Sequence, residues 1–147
     1  MPAFLHVRVH LIWSTSGREP RLDAAWRNDL FAYFSGICQN LNVKLLVAGG
    51  VADHVHLYVG LPATISIAEL VGKLKANSSR WIHENHDPAF AWQTKYAAFS
   101  VSQSGEDAVF AYIRNQETHH HKKSFQEELT EFLTRHNIEY DPRFLLE

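Results

Sequence analysis

Two histidines separated by one apolar residue, His54 and His56, lie in the run Gly50-Val51-Ala52-Asp53-His54-Val55-His56-Leu57-Tyr58-Val59. The run reads as a strand, whose side chains alternate between faces, so His54 and His56 share one side and Val55, Leu57 and Val59 the other. Two imidazoles a strand-step apart can share one divalent metal, and a metal beside a tyrosine is a way to break a phosphodiester bond. Downstream, Tyr112 and Gln116 stand four apart in the helical run Ala111-Tyr112-Ile113-Arg114-Asn115-Gln116, on one face and able to reach a common point. Attack by a phenol on a DNA phosphate leaves a phosphotyrosine ester that conserves the bond for rejoining, whereas attack by water ends in hydrolysis. A tyrosine nucleophile therefore suggests strand transfer.

Positioning these residues takes an alternating set of elements. Phe4 to Trp13 reads as a first strand, and Asp23 caps a helix running to about Leu41, with Trp26, Leu30, Phe34, Ile37 and Leu41 at helical spacing. Lys44–Val51 and His54–Gly60 form two strands joined tightly through Ala52-Asp53. A second helix spans Ile65 to about Asn85, and Ala97–Ser102 is a fourth strand. Ser104 and Asp107 resemble a capping box for a third helix through Tyr112 and Gln116. The order β-α-β-β-α-β followed by a helix matches a ferredoxin-like α+β sandwich, an antiparallel sheet with helices on one face. The third strand is then central, and its histidines lie on the face that the first two helices leave open.

The composition sets milder bounds. The 147 residues, 46% hydrophobic and 20% charged, suit a single domain, 1–147, that buries a real core. The lone cysteine, Cys38, lies in the first helical run and reads as a buried thiol of a reducing compartment. Residues Met1–Trp13 interleave apolar positions with His6, Arg8 and His10, unlike a signal peptide or membrane span, so a cytoplasmic protein is expected. The net charge of −2 argues against an indiscriminate polyanion binder but allows a local basic groove. Lys73, Lys75 and Arg80 form one basic group and Arg114, Lys122 and Lys123 another, while acidic residues gather between Glu127 and Glu147, a segment to which no role attaches.

The ordered set of Gly49-Gly50-Val51-Ala52-Asp53-His54-Val55-His56-Leu57, Tyr112-x-x-x-Gln116, and Phe90-Ala91-Trp92-Gln93 through Phe99-Ser100-Val101-Ser102 resembles the HUH single-tyrosine transposases. These comprise the small IS200-like insertion-sequence enzymes and the REP-associated tyrosine transposases. The resemblance runs from Leu11-Ile12-Trp13-Ser14-Thr15 to Phe125-Gln126-Glu127-Glu128. It implies that His54, His56 and Gln116 hold Mg²⁺ or Mn²⁺, and that Tyr112 is the nucleophile, yielding a 5′-phosphotyrosine and a free 3′-OH. It further implies single-stranded hairpin DNA as partner, a homodimer in which the tyrosine helix often completes the other subunit's site, and action at the nucleoid. Two other outcomes keep the same resemblance: a domesticated REP-associated hairpin nickase, and a non-catalytic hairpin-binding module.

Imidazole suits Mn²⁺, Co²⁺ or Ni²⁺ better than Mg²⁺, which prefers oxygen. The free phenol, with a pKa of about 10, needs help at neutral pH from a metal, a base or water. Lys73, Lys75, Arg80, Arg114, Lys122 and Lys123 are candidate DNA contacts or ordinary surface residues. Trp81 sits at core spacing, and Trp92 is the better base-stacking candidate but also a structural one. Asp53 either accepts a ring N–H or caps the hairpin. The His119-His120-His121 run reads as a solvated helix end, with DNA contact as the alternative.

Overall fold

The structure, a computed structural model, describes residues 3–119 and 123–145. His120, His121, Lys122 and Glu147 lie outside the described residues. Four strands form one antiparallel sheet: β1 (Arg8–Ser14), β2 (Lys44–Gly50), β3 (His54–Gly60) and β4 (Ala97–Ser100), in the order β2-β3-β1-β4. This is the α+β, ferredoxin-like arrangement expected from the sequence, with β3 in the interior. The first strand is shorter than its apolar pattern suggests: Phe4, Leu5 and Val7 are exposed and precede it.

Helices α1 (Ala24–Asn40) and α2 (Ile67–Asn85) pack on one face of the sheet. Asp23 caps α1 by accepting the amide N–H of Ala25, and Ser66 caps α2 through Glu69. Val9, Leu11 and Trp13 of β1 and Val55, Leu57 and Val59 of β3 meet Leu30, Phe34 and Cys38 of α1 and Leu70, Val71 and Leu74 of α2. Burial pushes the Cys38 thiol up to about 11, so it stays protonated and behaves as a small apolar group. Trp92 is a core residue as well, its indole N–H donating to Ser78 Oγ between the rings of Trp13 and Phe90.

The opposite face carries Ile12, His54, His56, Tyr58 and Phe99, and it is covered by α3 (Glu106–Arg114) and α5 (Phe125–Arg135). No Ser104 capping box forms: a short 3₁₀ turn, Gln103–Gly105, leads into α3, and Ser104 instead meets the hydroxyl of Ser102. The third helical run is also broken, ending at Asn115 before a four-residue helix, α4 (Gln116–His119). The acidic segment has structure and a role in packing. Ser124 accepts the Glu127 amide N–H, and Phe125, Leu129 and Leu133 bury one face of α5 against Ile12 and Phe99. Among the described residues, no helix is long and apolar enough to cross a membrane.

Candidate metal centre and nucleophile

Strand alternation places His54 and His56 on the α3/α5 side of β3, and both are fully buried. Each ring is held at both nitrogens. His54 Nδ1 donates to Asp53 Oδ1 at 2.7 Å, while its Nε2 faces Gln116 Oε1 at 3.3 Å and Glu128 Oε2 at 3.3 Å. His56 Nδ1 lies 2.8 Å from His10 Nε2, and its Nε2 is 3.0 Å from Glu128 Oε1. Asp53 therefore orients a histidine as well as flanking the hairpin.

Tyr112 and Gln116 converge on the same place from α3 and α4. The Tyr112 hydroxyl donates to Glu128 Oε1, and Gln116 Nε2 lies 3.2 Å from the Tyr112 carbonyl and 3.3 Å from Glu128 Oε1. Helix α3 can come this close because Gly49 of β2 lacks a side chain: a Cβ there would collide with the carbonyl oxygen of Ile113. Arg27 of α1 tethers α4 from the far side, 3.5 Å from Glu117.

Glu128 is the residue that motif reading missed. It sits at the centre of the cluster, 3% exposed, on a helix from which the sequence suggested no site residue. A sequence signal for that helix exists, in the Ser124-x-x-Glu127 capping pair and the spacing of Phe125, Leu129, Phe132 and Leu133. Glu128, three residues after Phe125 and four before Phe132, shares that apolar face whereas Glu127 and Glu131 do not, but the spacing does not tell what the carboxylate meets there.

The electrostatics follow from this enclosure. Burial alone would raise the Glu128 carboxyl, but hydrogen bonds from His54 and His56 outweigh it and hold the group at about 2. Burial would likewise depress His54, yet Asp53 and Glu128 together raise it above the usual imidazole range. For His10 the attraction of Glu128 is too small to compensate: burial first, and then the neighbouring His56, push it well below that range.

His54, His56 and Glu128 each offer one ligand atom, and these lie within 4.8 Å of one another. Two imidazole nitrogens and a carboxylate oxygen, with the Gln116 amide oxygen beside them, are a donor set that fits a divalent first-row metal. The carboxylate adds a hard oxygen to a pair of imidazoles and makes Mg²⁺ a better match than the histidines alone do. A cavity of about 330 Å³ opens beside Tyr112 and Glu128, walled by His10, Phe132, Lys123 and Arg135.

The basic candidates are placed unequally. Lys75 is half-buried and its ammonium donates to the carbonyls of Gln93 and Lys95, so it closes the 93–95 loop and is engaged away from the site. Lys73 and Arg80 are exposed on α2, paired with Glu69 and Asn77, and Arg114 is exposed with its guanidinium over Phe110. Lys123 is exposed, bound to Glu131 at the cavity rim. Trp81 is half-buried and stacks on Tyr33 between α1 and α2.

Comparison with known proteins bears on the family and the fold. The family model described as "Transposase IS200 like" matches residues 3–116. Transposases for insertion sequence element IS200 from Salmonella typhimurium and Salmonella typhi are each 26% identical over 77 residues, 52% of this chain and 51% of theirs. The matched stretch thus spans about half the length of these relatives. A crystal structure of a Deinococcus radiodurans R1 protein described as a transposase superposes with a TM-score of 0.62 at 24% identity, covering 79% of this chain and 95% of that one. A REP-associated tyrosine transposase bound to a REP hairpin superposes with a TM-score of 0.63 at 10% identity, covering 82% and 72%. At these identities the two structures establish the shared fold, and the match over residues 3–116 establishes that the chain belongs to the IS200-like transposase family.

Proposed function

We propose that the protein is a metal-dependent DNA strand transferase that cleaves and rejoins single-stranded DNA near hairpins, with Tyr112 as nucleophile and residues 1–147 acting as one domain. The observation that carries this reading is the convergence of the Tyr112 hydroxyl, the His54 and His56 ring nitrogens and Gln116 on a single buried point. A side chain packed only for stability would not need a phenol, two imidazoles and a carboxylate to meet there, because burying so many polar groups costs stability unless each is satisfied.

In this reading His54, His56 and Gln116 hold Mg²⁺ or Mn²⁺, with Glu128 as a further oxygen donor. The bound ion supplies Lewis-acid polarisation of the scissile phosphate and lowers the energy of a nearby oxyanion. The chain's own residues do the rest. Glu128 accepts the Tyr112 O–H and so aims the phenol oxygen at the cluster. The phenol oxygen forms the new bond to phosphorus and gives up the proton it directs at Glu128, the P–O3′ bond breaks, and the leaving O3′ takes up one proton, so a 5′-phosphotyrosine and a free 3′-OH result. Rejoining runs the same exchange with another 3′-OH, without a water-derived product. The partner DNA, a homodimer, and a cytoplasmic location at the nucleoid belong to the same reading. The REP hairpin held by the structural relative is the support for a hairpin substrate.

The test is a denaturing gel of the protein with end-labelled hairpin DNAs taken from either side of its own gene, in Mn²⁺ and in EDTA. A metal-dependent, protease-sensitive shift that is lost in Tyr112→Phe supports the reading. A covalent product in Tyr112→Phe removes Tyr112 as nucleophile, and binding with no covalent product on any flanking hairpin points to a non-catalytic module.

A further inference from the structure

We propose that His10 is a positioning residue that lets His56 present a bare Nε2 to a divalent metal. The inference rests on His54 and His56 being metal ligands, and it concerns a residue that neither the His-x-His pair nor the tyrosine helix contains. His10 belongs to β1, where it stands opposite Tyr58, and its side chain leans along the sheet to His56. Its Nε2 lies 2.8 Å from His56 Nδ1, and both rings are buried. Phe99 and Phe132 approach the His10 ring at steep angles and fix its plane.

The hydrogen-bond directions must reverse when a metal enters. In the proposal the metal-free His56 ring carries its hydrogen on Nε2, which faces a Glu128 carboxylate oxygen at 3.0 Å, and Nδ1 accepts from His10 Nε2–H. A metal on His56 Nε2 needs the lone pair there, which moves the hydrogen of a neutral ring to Nδ1. His10 Nε2 must then accept. The balance closes: the His56 Nε2 proton leaves to solvent, the His10 Nε2 proton passes to His56 Nδ1, and His10 takes one proton at its own Nδ1. An imidazole serves both directions at one position. An aliphatic side chain serves neither, and leaves a buried Nδ1–H without the acceptor that the loaded state needs.

The experiment compares Mn²⁺ affinity by calorimetry in the full chain, His10→Leu, His10→Gln and His54→Ala, with thermal unfolding to establish that each is folded. Gln places an amide near the imidazole Nε2 position and can turn either its oxygen or its nitrogen to His56. His10→Leu is expected to bind Mn²⁺ about 10–100-fold more weakly, and His10→Gln within a few-fold of the unmodified chain. Long-range ¹⁵N–¹H spectra of the unmodified protein, with diamagnetic Zn²⁺ as probe, are expected to show the His56 proton moving from Nε2 to Nδ1 on loading. This arm stands even if the Leu variant does not fold. Unchanged affinity in His10→Leu, equal losses in folded Leu and Gln variants, or a His56 proton that stays on Nε2 overturns the role of His10 alone. No Mn²⁺ binding, or binding that His54→Ala leaves intact, overturns the metal reading and this proposal with it.

Discussion

Glu128 Oε1 stands 3.0 Å from His56 Nε2, which ties the last long helix to the interior strand of the sheet. The family model's match ends at Gln116, so this carboxylate lies beyond the matched residues. The pairing gives α5 two jobs, covering the apolar half of the sheet through Phe125, Leu129 and Leu133 and neutralising the histidines in the other half.

Removal of the carboxylate separates these jobs. Glu128→Ala removes the buried carboxylate that faces the His54 and His56 rings, and breaking such a pair costs about 3–5 kcal/mol. Urea unfolding of the metal-free protein is expected to show this loss, while Glu128→Gln, which retains hydrogen bonding, loses less. Equal stability of the Ala variant and the unmodified chain would show that Glu128 does not neutralise the pair.

Stability of the metal-free protein is expected to peak near pH 6.5. His54, raised above its ordinary 6.5, stabilises fully below that value, and its contribution fades as pH rises through the folded pKa. His10, held far below 6.5, acts oppositely: the unfolded chain takes up its proton below 6.5, so stability falls as pH drops. Glu128, held at about 2 against an ordinary 4.5, adds a second acid loss below 4.5. Denaturant midpoints between pH 3 and 8 check the curve, and His54→Ala should flatten its alkaline side.

Gly49→Ala tests whether α3 must lie against β2. The added methyl meets the Ile113 carbonyl, a backbone atom that moves only with its helix. Overpacking of this kind costs about 1–3 kcal/mol. Because Tyr112 rides on the same turn, covalent adduct formation should fall further than stability does. A variant with normal adduct yield would show that the site tolerates displacement of α3.

Lys75→Met distinguishes a loop anchor from a DNA contact. Loss of two carbonyl hydrogen bonds from a charged donor is expected to cost about 2 kcal/mol in unfolding experiments. The salt dependence of DNA binding should keep its slope, whereas loss of a phosphate contact would reduce that slope by about one. Lys73→Met, on the exposed turn of α2, gives the comparison.

By itself the sequence determined the strand alternation that puts His54 and His56 together and the order of elements, whereas Tyr112 and Gln116 meet across the helix break at Asn115 rather than along one continuous helix. The first two follow from local periodicities, and backbone geometry enforces them wherever the chain lies. Tertiary structure decided the rest. His10 and Glu128 reach His56 from β1 and α5, across pairings that no spacing encodes, and Lys75 turns inward because a loop distant in sequence offers it carbonyls. An acidic segment looks solvated in sequence because carboxylates are costly to bury, and only the imidazoles waiting on β3 make the burial of one of them favourable.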